Sequence, residues 1–212
     1  MALTVTTPAA DTKLTTPERV VEEVDGIADP LLTELIEQAS AIIVAYCDRP
    51  FAQEVYSETL PGFGDVELMV SRTPIIGTPT VFHNGDPIID FTIESPEAGI
   101  LRRDNGWSWT APFFQHLVGH PIAGAEDPQF TVNYTAGYIL PDDQANRTLP
   151  LDIERAAIEL VRATYLSRTR DPAVVSERVG DYAVTYARPG EEPESGLPPR
   201  VEALLTRWKR YA

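Results

Sequence analysis

The stretch ERVGDYAVTYA, residues 177–187, carries a Gly-Asp pair that runs into Tyr182, Val184 and Tyr186 at every second position. That spacing is the mark of a β-strand, yet helical patterns lie on both sides of it. A strand standing alone leaves its backbone donors and acceptors unpaired, so residues 181–187 require a partner strand. Two partners are open. One is a nearby stretch such as Val174-Val175, making a local hairpin. The other is the edge of another element or of a neighbouring subunit, which the reading favours because Pro172 limits the local alternative. Asp181, Tyr182, Val184 and Tyr186 are therefore the candidate inter-subunit strand.

The flanking helices are read from apolar periodicity. Upstream, Ile153, Ala156, Ala157, Leu160, Val161, Thr164 and Tyr165 form a stripe that opens after Leu149-Pro150 and ends near Arg170-Asp171-Pro172. Downstream, Leu197-Pro198-Pro199 introduces a last helix with Val201, Leu204, Leu205 and Trp208 on one side. Near the start, Thr16-Pro17-Glu18 gives a hydroxyl cap, a proline at the first helical position and an early acid. Val20, Val21, Val24 and Ile27 follow as its apolar side, and Asp29-Pro30 restarts the pattern. Leu32, Leu35, Ile36, Ala39, Ile42, Ile43 and Tyr46 then recur at helical steps until Arg49-Pro50.

Between these helices the texture changes. The runs VELMV, TVFH, IIDFTIE, GILRR and FTVNYTAGY alternate with Gly, Pro and Asn, and Asn84-Gly85 and Asn105-Gly106 are hairpin signals. They predict an antiparallel unit of roughly five to seven short strands. Trp107, Trp109, Phe113 and Phe114 supply either its core or a contact patch, and core is favoured for at least two of them. The fold class is α+β: a small helical core with an antiparallel β insertion, and a lone strand or hairpin before the C-terminal helix. The expected divisions are a flexible arm over 1–14, a helical core from 15–50 and 149–212, and a β-rich insertion over 51–148.

Charge and cysteine content narrow the function. Residues 1–148 hold seven basic and 22 acidic residues, while 149–212 hold ten of each, so the first part carries the whole net charge of −15. Such a surface repels phosphate backbones and argues against sequence-specific DNA binding. Cys47 is the single cysteine, which excludes an intrachain disulfide and fits a reducing cytoplasm. No run of about 18 apolar residues is evident, so no membrane association is expected, and the opening MALTVTTPAADTKLTT lacks the pattern of a secretory signal.

Catalytic signatures are missing. His116 and His120 are four apart, but Leu117 stands where a zinc protease would need glutamate, and Gly119 and Pro121 oppose a helix; His83 has no partner motif. There is no G-x-S-x-G elbow and no phosphate-binding glycine loop, and Gly62-Phe63-Gly64 reads as a turn. The acidic pairs Asp142-Asp143 and Glu191-Glu192 sit beside prolines in loops. Nothing selects an enzyme, a cofactor or a metal.

In order along the chain, LTTPERVVEEV (14–24), LLTELIEQASAIIVAYCDRPF (31–51), VNYTAGYILPDD (132–143), LPLDIERAAIELVRATYLSR (149–168), ERVGDYAVTYA (177–187) and LPPRVEALLTRWKRYA (197–212) resemble the head–tail connector proteins of long-tailed bacteriophages, also called adaptor or head-completion proteins. The resemblance covers residues 15–212, with 56–129 longer than minimal members of that family need. It implies a non-enzymatic virion structural protein of the neck, assembled in the host cytoplasm. Copies would form a homo-oligomeric ring, by implication dodecameric, under the portal protein. That ring extends the DNA channel, lets DNA pass without specific binding, and offers a surface to a stopper or other tail-side neck protein. The resemblance further implies that the C-terminal segment Arg207, Trp208, Lys209, Arg210 and Tyr211 binds the portal, with Trp208 as aromatic anchor. Read without it, those cations simply complement a helix dipole. Three rivals stand beside this reading: another neck protein, a stopper or tail-completion protein, which would be mainly β; a small cytoplasmic carboxylate-dependent enzyme with a deep acidic pocket; and a nucleic-acid-binding packaging factor, which the charge disfavours.

Overall fold

The computed structural model describes residues 2–24, 29–108, 129–142, 146–168, 176–179, 182–185 and 196–210. The chain divides into two units, one of residues 1–10 and 52–138, the other of residues 11–51 and 139–212.

In the first unit the strands are β1 (Ala2–Thr7), β2 (Glu54–Leu60), β3 (Glu67–Met69), β4 (Ile75–His83), β5 (Asp86–Ile88), β6 (Thr92–Ser95), β7 (Ile100–Arg102) and β8 (Phe130–Ala136). They form a five-stranded sheet in the order β1-β2-β8-β4-β5 and a three-stranded sheet in the order β3-β7-β6, with every pairing antiparallel. Alternation fixes the buried face. Tyr56, Glu58 and Leu60 of β2 are buried, as are Phe130, Val132, Tyr134 and Ala136 of β8. In the β2–β8 register Tyr56 stands opposite Tyr134 and Leu60 opposite Phe130, so same-face neighbours stack their side chains.

Trp107 is a core residue, 1% exposed, with its ring edge-on to Phe130 at 5.2 Å and its Nε1–H donating to the Val66 carbonyl. Trp109, Phe113, Phe114, His116 and His120 lie outside the described residues. At Asn84-Gly85, φ values of 53° and 89° make the two-residue turn that joins β4 to β5. Asn105-Gly106 is also a turn, but it is followed by loop. There Gly106 (φ 72°) lets Trp107 N–H reach the Asp65 carbonyl, and the Gly64 N–H in turn donates to the Trp107 carbonyl.

Residues 2–7, expected as part of a loose arm, instead form β1, paired with β2 from Ala2 opposite Thr59 to Thr7 opposite Val55. The sequence ALTVTT holds no proline and is rich in β-branched residues, so it suits a strand until Pro8.

The second unit contains the helices α1 (Pro17–Val21), α2 (Asp29–Cys47), α3 (Leu151–Arg168) and α4 (Pro199–Leu205), the last continuing into a 3₁₀ turn at Thr206–Trp208. α3 packs on α1, α2 and α4. Leu32, Leu35, Ile36, Ala39 and Ile43 of α2 are buried, as are Ile153, Ala156, Ala157, Leu160 and Val161 of α3. Ile42 departs from the expected stripe and is exposed. By length and composition Pro30–Cys47 is apolar enough to cross a membrane, contrary to the expectation from unbroken apolar runs. Here its apolar side is buried in the unit, and its exposed side carries Glu34, Glu37 and Gln38. Asp48, at φ 50°, turns the chain out of α2 ahead of Arg49-Pro50. Ser40, buried in α2, donates to the Ile36 carbonyl and accepts the Leu14 N–H, tying the preceding segment to the helix.

Glu154 is the buried acid of this unit. Its Oε2 lies 2.8 Å from Arg147 Nη2 and its Oε1 lies 2.8 Å from Arg19 Nε. The Arg19 contact is a charge contact without an aligned hydrogen. One carboxylate thus links α1, the segment before α3, and α3.

The strand in residues 177–187 has a local partner. β9 (Ser176–Val179) and β10 (Tyr182–Thr185) form an antiparallel two-stranded sheet, with Tyr182 opposite Val179 and Thr185 opposite Ser176. Among the described residues its partner is the run beginning at Ser176; Pro172 and Val174-Val175 lie outside them. Asp181 and Tyr186 lie outside the described residues.

Candidate functional site

The C-terminal segment is positioned by α4. Pro199 occupies the first turn, where its missing N–H costs nothing. Val201 and Leu205 are buried, and Trp208 is half-buried one turn further on. Thr206 Oγ1 donates to the Glu202 carbonyl as the helix tightens into its 3₁₀ turn, after which the chain extends at Lys209.

The segment ends on α2. The Arg210 N–H donates to the carbonyl of Cys47, the last residue of α2, at 3.0 Å. Lys209 Nζ lies 4.9 Å from the centre of the Tyr46 ring, and the Tyr46 hydroxyl donates to Glu202 Oε1. α2 has no basic residue in its own last turn. Lys209 brings a cation, and Arg210 a main-chain donor, to its negative end, so the dipole they reach is that of α2.

Arg207 takes another direction: Nη1 is 3.2 Å from Asp152 Oδ2 in the first turn of α3, and its guanidinium sits 4.8 Å from the Trp208 ring centre. Arg207, Lys209 and Arg210 remain exposed at the surface, and Tyr211 lies outside the described residues. Burial lifts the Tyr46 phenol above its ordinary value, opposed by Thr206 and reinforced by Glu202. Burial pushes the Cys47 thiol up to about 11, with Arg49 and Lys209 pulling the other way.

Sequence reading brought Arg207, Trp208, Lys209 and Arg210 into one cluster but missed the groups that hold them: Tyr46, Asp152 and Glu202. One signal was readable, the lack of any Lys or Arg in the last turn of α2.

Glu58, in the β unit, is a second buried acid, 1% exposed. It accepts from the Ser71 N–H at 2.9 Å, from Ser71 Oγ, and from the Tyr134 hydroxyl at 2.8 Å. Tyr134 also accepts the Arg72 N–H. Burial first, and then the Glu58 hydrogen bond, pushes the Tyr134 phenol far above its usual range; Tyr56 is raised in the same way by burial and Glu54. Each Glu58 oxygen is engaged by protein donors that fasten the β3–β4 link to β2 and β8. The signal for it was a glutamate on the buried row of EVYSETL.

A carboxylate enzyme would need an open acidic pocket. A cavity of about 600 Å³ runs along Thr80, Phe82, Ile88, Ile89, Phe91 and Ile93, and no acid among the described residues lines it. A shallower one of about 350 Å³ holds Asp90 and Asp104, but Asp90 pairs with Arg103 and Asp104 with Arg102. His83 stacks on Phe130 at 4.6 Å. Among the described residues no group of three His, Cys, Asp or Glu side chains is placed to hold a metal ion.

Compared with family models and with curated protein sequences, the chain matches none. Its fold does match solved structures. A chain in the neck of an empty GTA particle, computed with C6 symmetry, superposes with a TM-score of 0.58 at 14% identity, over 100% of this chain and 97% of that one. A chain in the neck of a native GTA particle, computed with C12 symmetry, gives 0.54 at 18% identity with the same coverage. A chain in the virion of a native gene transfer agent (GTA) particle gives 0.54 at 17% identity, again over 100% and 97%. At these identities the likeness is one of fold, and it extends over all of this chain and 97% of each of the others.

Proposed function

We propose that this protein is a structural component of the neck of a phage-like particle, a head–tail adaptor whose copies form a ring beneath the portal and extend the DNA channel. The observation that carries this reading is the full-length likeness to chains of particle necks computed with C6 and C12 symmetry. The helical unit built on α2 and α3 also favours an adaptor over a stopper, which would be mainly β. In this reading Arg207, Trp208, Lys209, Arg210 and Tyr211 dock on the portal: Trp208 fills a pocket, and the cations meet carboxylates at the rim. The ring multiplies the acidic excess of residues 1–148 by its copy number, and an acidic lumen lets DNA slide with little adhesion.

The test is negative-stain imaging of the purified protein, alone and mixed with the portal of the same particle. Rings, or a collar added to the portal, are the expected result. A monomer that also ignores the portal overturns the proposal. Trp208→Ala should abolish collar formation while leaving the helical circular dichroism intact.

A further inference from the structure

Edge strands are where a sheet meets other chains, and natural sheets guard them with charge, proline, brevity or bulges. Three of the four edges in the β unit are guarded. β5 has three residues, one of them Pro87; β3 has three and carries Glu67; β6 carries Glu94 and a register break between Ile93 and Ser95. β1 is guarded least. Its six residues are all exposed, none is charged, none is proline, and although its register breaks between Val5 and Thr7, Ala2–Val5 run unbroken against β2. Leu3 and Val5, 36% and 44% exposed, stand opposite the buried Glu58 and Tyr56 and carry the core face of the sheet to an edge that no element among the described residues covers.

The same chain holds a matching half. β9 and β10 make a sheet of two four-residue strands, and no third strand joins it among the described residues. A hairpin of that size is marginal by itself and gains from a third strand. Each copy therefore offers one long receptive edge and one short hairpin with an edge to give, on different units of the chain. Two unlike surfaces of this kind join copies head to tail, the arrangement that closes into a ring.

We propose that β10 of one copy pairs with the outer edge of β1 of the next, carrying the five-stranded sheet across the subunit boundary. The occupant is thus a second copy of this chain, and the inference rests on the ring proposed above.

Because the single native cysteine, Cys47, is buried, engineered pairs report cleanly. Thr4→Cys or Val5→Cys is combined with Ala183→Cys or Val184→Cys in the full chain, rings are assembled alone or on the portal, and the oxidised material is run on a denaturing, non-reducing gel. The expected result is a ladder of covalent multimers from at least one pair, with no ladder from the single variants. Rings without any ladder overturn this inference and leave the ring intact. Dimers from Thr4→Cys alone show β1 pairing with β1 and overturn it too. Absence of rings overturns both proposals. As a second readout, amide exchange of residues 2–7 should slow by about tenfold or more on ring formation. Unchanged exchange in rings refutes the pairing.

Discussion

Removing Arg147 should cost the helical unit far more than removing any other surface-reaching arginine. The Glu154 carboxylate it meets is 2% exposed, and Arg147 itself is 14% exposed, so both charges have given up most of their water. Arg19, the other cation, is 37% exposed and approaches Oε1 without an aligned hydrogen. Breaking a buried pair by deleting one partner costs about 3–5 kcal/mol, because the other charge stays buried and uncompensated. Arg19 remains to compensate in part, which places Arg147→Met at the lower end, about 3 kcal/mol, or roughly two decades in the folding constant. Arg19→Ala should cost only about 1 kcal/mol, since a half-exposed ion pair is screened by water. The double variant Arg147→Met/Glu154→Met supplies the sign test. With both charges gone, the desolvation cost goes too, and stability should recover part of the loss. Urea unfolding followed by helical circular dichroism measures all three. An Arg147→Met protein within about 0.5 kcal/mol of the parent, or a double variant no more stable than Arg147→Met alone, refutes the reasoning.

Other consequences follow from the buried polar groups and the turns. Tyr134→Phe leaves Glu58 and the Arg72 N–H each short of a partner and should destabilise the β unit by about 1–3 kcal/mol in thermal unfolding. The raised phenols of Tyr56 and Tyr134 keep their protons in the folded state, so alkaline titration of the native protein should ionise fewer than all eight tyrosines. Their contribution to stability is complete below the unfolded tyrosine pKa of about 10 and is lost progressively above it. Cys47, buried with its thiol raised to about 11, should ignore a disulfide reagent at neutral pH until the protein unfolds; rapid native labelling would contradict its placement. At Gly137 (φ 115°) an added Cβ would run into the Ala52 carbonyl, whereas at Gly85 (φ 89°) it would meet open space. Gly85→Ala should therefore cost about 1–2 kcal/mol, from backbone strain alone, and Gly137→Ala clearly more in the same unfolding assay.

How far the sequence could be read depended on whether the deciding partner lay nearby. The helices were legible because 3.6-residue periodicity is a local signal: apart from Ile42, the stripe from Leu32 to Ile43 and that from Ile153 to Val161 are buried as predicted. Asn84-Gly85 was legible for the same reason, since its positive φ values belong to two adjacent residues. β1 was not. ALTVTT becomes a strand by pairing with residues 55–59, and nothing inside the hexapeptide separates an edge strand from an extended tail. The 177–187 strand was recognised and a local hairpin stood among its open partners, but SERV was not singled out, because with Glu177 and Arg178 it has a weak strand signature until YAVT lies beside it.

The C-terminal cluster was the hardest to read, for an electrostatic reason. Local sequence explains Lys209 and Arg210 as complements to the end of their own helix, yet the carbonyl that Arg210 meets belongs to Cys47 and the ring under Lys209 is Tyr46. Helix α2 ends without a cation of its own, and Arg207 is held by the acid at the start of α3. The segment proposed to dock is thus fastened at three points to the helices it would present. That fastening lowers the cost of binding, because side chains already ordered lose less entropy when a partner arrives. It also means that losing a cation here removes a tie within the fold along with any contact at the rim. A fall in portal binding in Lys209 or Arg207 variants therefore identifies docking only where the unfolding free energy is unchanged. Trp208, half-buried and neutral, is the residue whose truncation separates the two roles most cleanly.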